Sequence, residues 1–183
     1  MRFTKTRVRG AFLIELDRIE DERGFFARSW CRREFEAHGL NPCVAQCNVS
    51  RNRLAGTLRG IHFQAHPHEE AKLVRCTKGA IYDVVVDLRK GSETFLQHDG
   101  SVLSDDNHRA LYIPEGCGHG FLTLADDAEV FYQMSQFYEP AAGRGLRWND
   151  PTLDIPWPET VRVISERDRT YPDLKRVLEE NEL

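Results

Sequence analysis

The sequence predicts a mainly-β fold, an antiparallel sandwich or barrel with a few short helices. Short runs of β-branched and aromatic residues recur along the chain, and residues typical of turns separate them. Helical signals occur in only two places, so helices are secondary to the β core. A length of 183 residues without an internal repeat or a low-complexity linker is enough for one domain, and we expect residues 1–183 to form it.

The expected strands follow one another as short apolar or alternating runs. The first covers residues 11–16, and residues 73–76 and 80–88 follow, joined by a tight connection at 77–79. Further strands are predicted at residues 110–113, 120–124 and 129–137. Along residues 80–88 one face carries Tyr82, Val84, Val86 and Leu88, and the other carries Asp83, Val85 and Asp87.

Two segments have the pattern of helices. Residues 29–38 form the first, which Gly39 ends, and residues 172–180 form the second, within a C-terminal tail of about residues 170–183. Because helices are few and strands are many, we expect these two helices to lie on the outside of the β core. A sandwich of this kind can hold a site in its mouth or between its sheets.

Composition excludes several classes of partner. Hydrophobic residues make up 40% of the chain and charged residues 30%, and the net charge of -4 gives a nucleic-acid partner no electrostatic support. No apolar run has the length of a membrane span. Five cysteines without a framework spacing predict reduced thiols. We therefore expect a cytoplasmic protein that binds neither nucleic acid nor membrane.

Candidate catalytic and binding residues are densest at residues 56–64 and 71–75. If residues 58–64 are extended, His62 shares a face with Gly60 and Gln64 and lies opposite the apolar neighbours. An imidazole on a polar inner surface, with cations nearby in sequence, is a candidate catalytic group. The structural alternative is a packed histidine among surface charges.

Two further clusters carry candidate chemistry. Glycines at positions 116, 118 and 120 surround His119 and predict a sharply turning backbone that a ligand can approach, although a plain loop is the alternative. Tyr132 lies within the predicted strand 129–137, and Tyr138 follows it. Tyrosines at such positions serve either packing or proton transfer.

Seven motifs, in their order and spacing, resemble the dTDP-4-dehydrorhamnose 3,5-epimerases. The resemblance extends from near the N-terminus to about residue 169. It implies an antiparallel double-stranded β-helix (a cupin-like jelly roll) and a homodimer that acts on a dTDP-4-keto-6-deoxyhexose with no metal or redox cofactor. The motifs are DERGFF at 21–26, LRGIHFQ at 58–64, AKLVR at 71–75, DVVVDLR at 83–89, IPEG and HGF within 113–121, RGLRWNDP at 144–151 and SERDR at 165–169.

The resemblance also implies roles for individual residues. His62 is the expected general base, with Asp168 orienting its imidazole, and Tyr132 is the expected acid on the opposite face of the sugar. Lys72 and His119 are expected near the C4 oxygen. The implied substrate-binding residues are Arg23 and Arg59 at the diphosphate, Gln46 and Asn48 at the nucleotide, Tyr138 and Phe26 on the base, and Arg167.

The chemistry of inversion fits these residue types. Inverting a carbon beside a ketone requires removal of an α-proton and return of a proton from the other side, so an acid and a base must face each other. Histidine is suited to proton transfer near neutral pH, and a fixed cation such as Lys72 stabilises an enolate. A carboxylate beside His62 favours the imidazolium. From the residues alone, Asp83 competes with Asp168 for this role.

Four positions depart from the family pattern. Arg28 stands where the family has Glu, Cys47 where it has Asp, Gln133 where Lys is common and Gly143 where Glu is common. Arg28 inverts a charge and Gly143 removes an acceptor. These changes raise the hypothesis that the carrier is CDP or GDP instead of dTDP.

Two other functions are compatible with the sequence. His66, His68 and His119 fall at the spacing of cupin metal motifs and offer ligands for a divalent ion, although Lys72 replaces the usual Glu and is a poor ligand. A sugar-binding cupin without catalysis would have the same fold. The sequence also leaves open whether C3, C5 or both are inverted, since this depends on the pose of the sugar.

Overall fold

The computed structural model describes residues 1–180, which contain fourteen strands and three short helices. No helix within these residues is long and apolar enough to cross a membrane. The strands are β1 (Arg2–Lys5), β2 (Phe12–Glu15), β3 (Ile19–Asp21), β4 (Gly24–Phe26), β5 (Gln46–Asn52), β6 (Thr57–Gln64), β7 (Lys72–Lys78), β8 (Ala80–Asp87), β9 (His98–Ser104), β10 (Ala110–Ile113), β11 (Cys117–Thr123), β12 (Ala128–Met134), β13 (Gly143–Gly145) and β14 (Val163–Ile164). The helices are α1 (Arg32–Ala37), α2 (Glu166–Thr170) and α3 (Leu174–Glu179).

Two sheets form the body of the protein. The first has the order β1-β2-β10-β7-β12-β5, and the second has the order β13-β6-β11-β8-β9. Strands in both orders pair antiparallel, while β14 joins the second sheet parallel to β6. β3 and β4 form a separate two-stranded hairpin. The predicted mainly-β antiparallel fold with a few short helices is confirmed.

Apolar side chains fill the space between the sheets and cover their outer faces. Val85 and Leu111 belong to the inner cluster, to which both sheets contribute. Phe35 of α1 packs on the outside of the first sheet. Leu174 and Val177 of α3 pack on the outside of the second, so the C-terminal helix covers that face. Residues 181–183 of the expected tail lie outside the described residues.

The predicted tight connection at residues 77–79 exists, but it does not close a hairpin. Gly79, at a φ of +74°, passes the chain from β7 in the first sheet to β8 in the second. β6 and β7 likewise lie in different sheets. His62 and Lys72 therefore approach the interior from opposite sides of the sandwich, because consecutive strands of this fold alternate between the layers.

A bulge in β6 changes which side chains reach the interior. One extra residue of β6 lies opposite β11 between His62 and Arg59. Gly60 occupies this bulge at a φ of +132°, and a Cβ there would collide with the backbone of Gly120. Strict alternation would place Arg59 with Ile61 on the outer face. The bulge instead lets Arg59 and His62 share the inner side.

Candidate active site

The interior opens into a cavity of about 480 Å³ bounded by strands of both sheets. β5, β7 and β12 contribute from the first sheet, and β6, β11 and β13 contribute from the second. Nine of the twelve predicted site residues line this cavity. They are Gln46, Asn48, Arg59, His62, Lys72, His119, Tyr132, Tyr138 and Arg167.

His62 forms a hydrogen-bonded pair with a buried carboxylate. Its Nε2 lies 2.7 Å from Oδ1 of Asp168, which α2 holds at 4% exposure. Burial alone would raise the pKa of Asp168, but hydrogen bonds from His62 and from the Gly60 N–H outweigh burial and keep this pKa below its ordinary value. The carboxylate thus stays ionised and holds the tautomer in which Nδ1 of His62 can accept a proton.

Ser165 explains how α2 presents this carboxylate. Its side chain accepts a hydrogen bond from the backbone N–H of Asp168, so it caps the N-terminus of the helix. β14 precedes the cap and pairs with β6, the strand of His62. The short β14–α2 segment therefore fixes Asp168 relative to His62. Strand β14 and helix α2 are both very short, so the sequence indicates them only weakly.

His119 has its own carboxylate partner. Its Nε2 lies 2.7 Å from Oδ1 of Asp83, which is fully buried on β8. The sequence offers two carboxylates, Asp168 and Asp83, as the partner of His62. In the structure Asp168 pairs with His62, and Asp83 pairs with His119. Because β11 lies between β6 and β8, the two histidines enter the cavity from adjacent strands.

Lys72 and Tyr132 face these histidines from the first sheet. Nζ of Lys72 lies 2.9 Å from Oε1 of Glu70, and both side chains are nearly buried. Burial raises the pKa of the Tyr132 phenol, the charge of Arg59 lowers it, and the carboxylate of Glu70 raises it further, with a net increase. The cavity thus holds a protonated phenol and a fixed cation opposite the His62 pair.

The far end of the cavity presents amide groups and an exposed aromatic ring. Nε2 of Gln46 and Nδ2 of Asn48, on the edge strand β5, lie 3.6 and 3.2 Å from Sδ of Met134. Oε1 of Gln46 accepts from the backbone N–H of Tyr138 at 3.0 Å. The ring of Tyr138 is about half exposed, which suits stacking against a planar base.

Glu70 and Tyr171 are among the lining residues that were not predicted as site residues from the sequence. Glu70 precedes Lys72 by two positions, so strand alternation was the signal that could have placed both on one face. The ring of Tyr171 meets the His62 imidazole edge-on, with centroids 5.8 Å apart, and packs against Gly145. Tyr171 follows α2 and belongs to no strand, so no periodicity indicated its position.

Arg23 and Phe26 do not line the cavity of their own chain. They belong to the β3–β4 hairpin, where Arg23 pairs with Asp21 and Phe26 is 73% exposed. Within residues 1–180 the hairpin pairs with no strand of either large sheet. The two residues remain exposed on a projecting element.

Of the four departures from the family pattern, only Gly143 lines the cavity. Arg28 is exposed and pairs with Glu34 of the neighbouring helix at 3.4 Å. Cys47 and Gln133 pair across β5 and β12, and neither lines the cavity that their strand neighbours face. Three of the departures therefore give no support, within this chain, to a different carrier.

The glycines beside His119 do not serve the predicted role. Gly118 and Gly120 lie within β11, and a Cβ at either would collide with the side chain of Ile61. Their lack of a side chain admits a packed isoleucine on the outer face, and not a ligand. Only Gly116, at a φ of +74°, lies in the turn before the strand.

The three histidines of the metal hypothesis do not form a ligand set. His66 is exposed and its Nδ1 pairs with Glu69 at 3.0 Å, while Nε2 of His119 is bonded to Asp83. Within residues 1–180 no group of three or more His, Cys, Asp or Glu side chains is arranged to hold a metal ion.

Comparison with known proteins gives a consistent result along nearly the whole chain. Residues 5–176 match the family model described as dTDP-4-dehydrorhamnose 3,5-epimerase. A relative of that name from Methanothermobacter thermautotrophicus is 43% identical over 177 residues, which cover 95% of both proteins. A dTDP-4-dehydrorhamnose 3-epimerase from Streptomyces niveus is 40% identical, over 92% of this chain and 82% of the relative.

A solved structure adds a bound ligand to this comparison. The dTDP-6-deoxy-D-glucose-3,5-epimerase of Legionella pneumophila, in complex with dTDP-4-keto-L-rhamnose, superposes with a TM-score of 0.90 at 35% identity. The match covers 98% of this chain and 95% of that one. The cupin-like jelly roll expected from the motifs is therefore the fold of this chain.

Proposed function

Since the chain belongs to the dTDP-4-dehydrorhamnose 3,5-epimerase family, we propose that it inverts C3 and C5 of a dTDP-4-keto-6-deoxyhexose. The observation that carries this proposal is the arrangement of the cavity. A histidine paired with an ionised aspartate enters from one sheet, and a partly buried tyrosine enters from the other. Acid and base on opposite sides of one substrate are what inversion requires.

In the proposed reaction Nδ1 of His62 takes the proton from the carbon beside the ketone. The electron pair of the broken C–H bond moves onto the C4 oxygen as an enolate. Tyr132 then gives its phenolic proton to the opposite face of the same carbon, and the ketone re-forms. Each inversion leaves an imidazolium and a phenolate, which exchange with solvent restores. Because the incoming proton derives from solvent, an inverted carbon acquires deuterium in heavy water.

Lys72 and His119 are proposed to stabilise the enolate oxygen. The ammonium of Lys72 is fixed by its ion pair with Glu70, and His119 is fixed by Asp83. Groups that are held before charge develops stabilise a transition state without reorganisation. Lys72 also cannot act as an ordinary metal ligand while it carries its charge, which favours a reaction carried out by side chains.

The nucleotide is proposed to lie toward β5. Nε of Arg59 is bonded to Asn52 at 2.8 Å, which leaves other guanidinium N–H groups for diphosphate oxygens. Arg167 lies with its guanidinium 5.6 Å from the ring centre of Tyr171 at the same cavity. Gln46 and Asn48 offer amide edges to a base, so we propose dTDP as the carrier, as in the named relatives.

We propose that the active form is a homodimer in the cytoplasm. The exposed β3–β4 hairpin bears Arg23 and Phe26, which this chain does not direct to its own cavity, and a second copy would supply a site for them. Val49 on the edge strand β5 is 62% exposed, which suits an interface. All five cysteines are free thiols, consistent with a reducing compartment.

The test is incubation with dTDP-4-keto-6-deoxy-D-glucose in heavy water, followed by NMR. We expect deuterium at C3 and C5 with the wild-type protein, and no uptake at either carbon with His62→Ala. Binding of dTDP should persist in that variant, because the proposed mechanism places His62 at the sugar and not at the nucleotide. dTDP should also bind more tightly than CDP or GDP.

His66→Ala is the matched control. His66 is exposed and outside the cavity, so the proposed mechanism predicts wild-type exchange, whereas a metal-dependent enzyme using His66 would lose activity. Uptake at C3 alone would make the protein a 3-epimerase like the Streptomyces niveus relative. Tight dTDP binding without any exchange by the wild-type protein would leave a sugar-binding cupin and refute the epimerase.

A further inference from the structure

Glu70 is a buried acid in the wall of the cavity to which the proposed mechanism assigns no proton transfer. Its side chain is 5% exposed, and its Oε1 contacts the ammonium of Lys72 at 2.9 Å. Its Oε2 is buried and has no hydrogen-bond partner within residues 1–180. Burying an incompletely satisfied carboxylate is costly, so a role in packing alone does not account for it.

The preceding residue is also a glutamate, but it lies in a different environment from Glu70. Glu69 is more exposed and pairs with His66 at 3.0 Å, outside the cavity. Among the residues that line the cavity, all of them within residues 1–180, Glu70 alone carries a carboxylate. It is thus the one negative charge in a wall that also bears Arg59, Lys72, Arg144 and Arg167.

Glu70 influences two groups of the proposed reaction. Its ion pair offsets the cost of burying the Lys72 ammonium and fixes the direction of that side chain. Its charge also reaches Tyr132, because the pKa of that phenol is raised by burial first, lowered by Arg59 and raised again by Glu70. The other titratable and charged groups that face the pair are His62 on β6 with Asp168 behind it, His119 on β11 with Asp83 behind it, and Tyr138, Arg144, Arg167 and Tyr171 at the rim.

We propose that Glu70 is a positioning residue for the epimerisation: it fixes the Lys72 ammonium beside the ketone oxygen and keeps the Tyr132 phenol protonated. This inference rests on the proposed function, since it assigns Tyr132 as the acid. Beside Arg59, whose charge lowers its pKa, the phenol would otherwise lose its proton more readily, and a phenolate cannot return a proton to carbon. Glu70 therefore allows Tyr132 to donate its phenolic proton up to a higher pH.

Glu70→Gln tests this inference, because it keeps the shape and one acceptor oxygen and removes the charge. We expect the basic limb of the kcat profile to move to lower pH, since removing a nearby negative charge lowers the pKa of a phenol. We also expect kcat at neutral pH to fall by about tenfold, with KM changed less than about threefold. Glu70→Asp keeps the charge, so it should retain the wild-type basic limb while kcat falls.

Glu69→Gln is the matched control and should leave both kcat and the pH profile unchanged. Thermal unfolding of each variant checks that it is folded. A Glu70→Gln variant whose basic limb and kcat equal those of the wild type would overturn the inference. Loss of kcat without any movement of the limb would also overturn the part that concerns Tyr132.

A second measurement keeps the test independent of turnover. Ultraviolet absorbance reports ionisation of the tyrosines, and subtraction of the Tyr132→Phe titration isolates Tyr132. We expect its phenol to ionise at lower pH in Glu70→Gln than in the wild type, even without substrate. If wild-type protein fails to epimerise while this shift is present, the proposed function fails and the coupling between Glu70 and Tyr132 stands. If epimerisation is present and the shift absent, the inference fails alone.

Discussion

At the scale of single residues, the proposed base depends on the bond between Nε2 of His62 and Oδ1 of Asp168. The carboxylate is nearly buried and receives bonds from both the imidazole and the Gly60 N–H. Its low pKa means that it remains charged when the imidazole gains a proton. The negative charge of Asp168 therefore stabilises the imidazolium that His62 forms in the first step of the proposed reaction.

Asp168→Asn is expected to lower kcat by about a hundredfold or more and to change KM little. The amide keeps the shape of the side chain but supplies no negative charge to the imidazolium. Initial rates of deuterium uptake at neutral pH measure the effect. Glu166→Gln, on the same helix α2 and exposed, is the control and should behave as wild type. Equal rates for Asp168→Asn and wild type would remove Asp168 from the mechanism.

Most of the site residues that the sequence predicted lie on a strand with clear alternation or in a recognisable motif. His62 satisfies both conditions, while Lys72 lies in the AKLVR motif and Tyr132 lies in the predicted strand 129–137. Tyr171 satisfies neither, because it enters the cavity from a loop after α2. The glycines around His119 show the opposite error, since a pattern that suggested ligand access reflects close packing of Ile61.

At the scale of elements, the connection after β8 is organised by one carboxylate. Asp87 is fully buried and accepts bonds from Nε and Nη2 of Arg89 at 2.8 Å and from the hydroxyls of Ser92 and Thr94 at 2.6 Å. Burial alone would raise the pKa of Asp87, but these bonds lower it from 3.8 to about 2. The carboxylate thus holds the turn that leads toward β9.

The low pKa of Asp87 predicts a pH-dependent contribution to stability. A carboxyl with a lower pKa in the folded state stabilises the fold above its unfolded pKa, and this contribution is lost as the pH falls through the folded value. A decrease from 3.8 to about 2 corresponds to about 2 kcal/mol at neutral pH. Acidification from about pH 4 to about pH 2 should therefore remove it.

Asp87→Asn is expected to lower the free energy of unfolding by about 2–3 kcal/mol at neutral pH, because it also leaves donors of the network unpaired. The difference from wild type should shrink as the solution is acidified. Urea unfolding at a series of pH values measures both effects. Asp106→Asn, an exposed position, is the control and should change stability by less than about 0.5 kcal/mol. A pH-independent loss in Asp87→Asn would contradict the ionisation argument.

The elements were predictable only in part, since β1, β5 and β9, with four to seven residues each, were not predicted. β2, β6, β7, β8, β10, β11 and β12 have apolar or alternating runs, and all correspond to predicted strands or extended segments. β13, β14 and the hairpin strands have two or three residues each, too few for a period, and they form because β6 or a turn partner supplies their hydrogen bonds. The sequence also could not show which sheet each strand joins, because an apolar run does not indicate its pairing partner.

At the scale of the whole molecule, the β3–β4 hairpin is the element that the cavity does not explain. It carries Arg23 and Phe26 on an exposed surface, although the family motif implies that both contact substrate. In the proposed homodimer each hairpin reaches the cavity of the other copy. Two-fold symmetry makes the two hairpins equivalent, so either both reach across or neither does. Arg23→Ala should then lower kcat/KM by about tenfold or more, because an arginine at a diphosphate contributes charge-assisted hydrogen bonds.

Mixing Arg23→Ala, which is impaired, with His62→Ala, which is inactive, distinguishes this arrangement from one in which Arg23 serves its own chain. Arg23→Ala retains His62, and His62→Ala retains Arg23, so a mixed dimer has one site with both residues only if Arg23 acts across the interface. Random exchange makes about half of the dimers mixed, with one repaired site in each, so activity should recover to about a quarter of wild type. Sedimentation confirms that mixed dimers form, and Arg23→Ala alone, at the concentration it has in the mixture, provides the baseline. Activity that stays at this baseline, or a protein that sediments as a monomer at concentrations where it turns over, would reject the shared site.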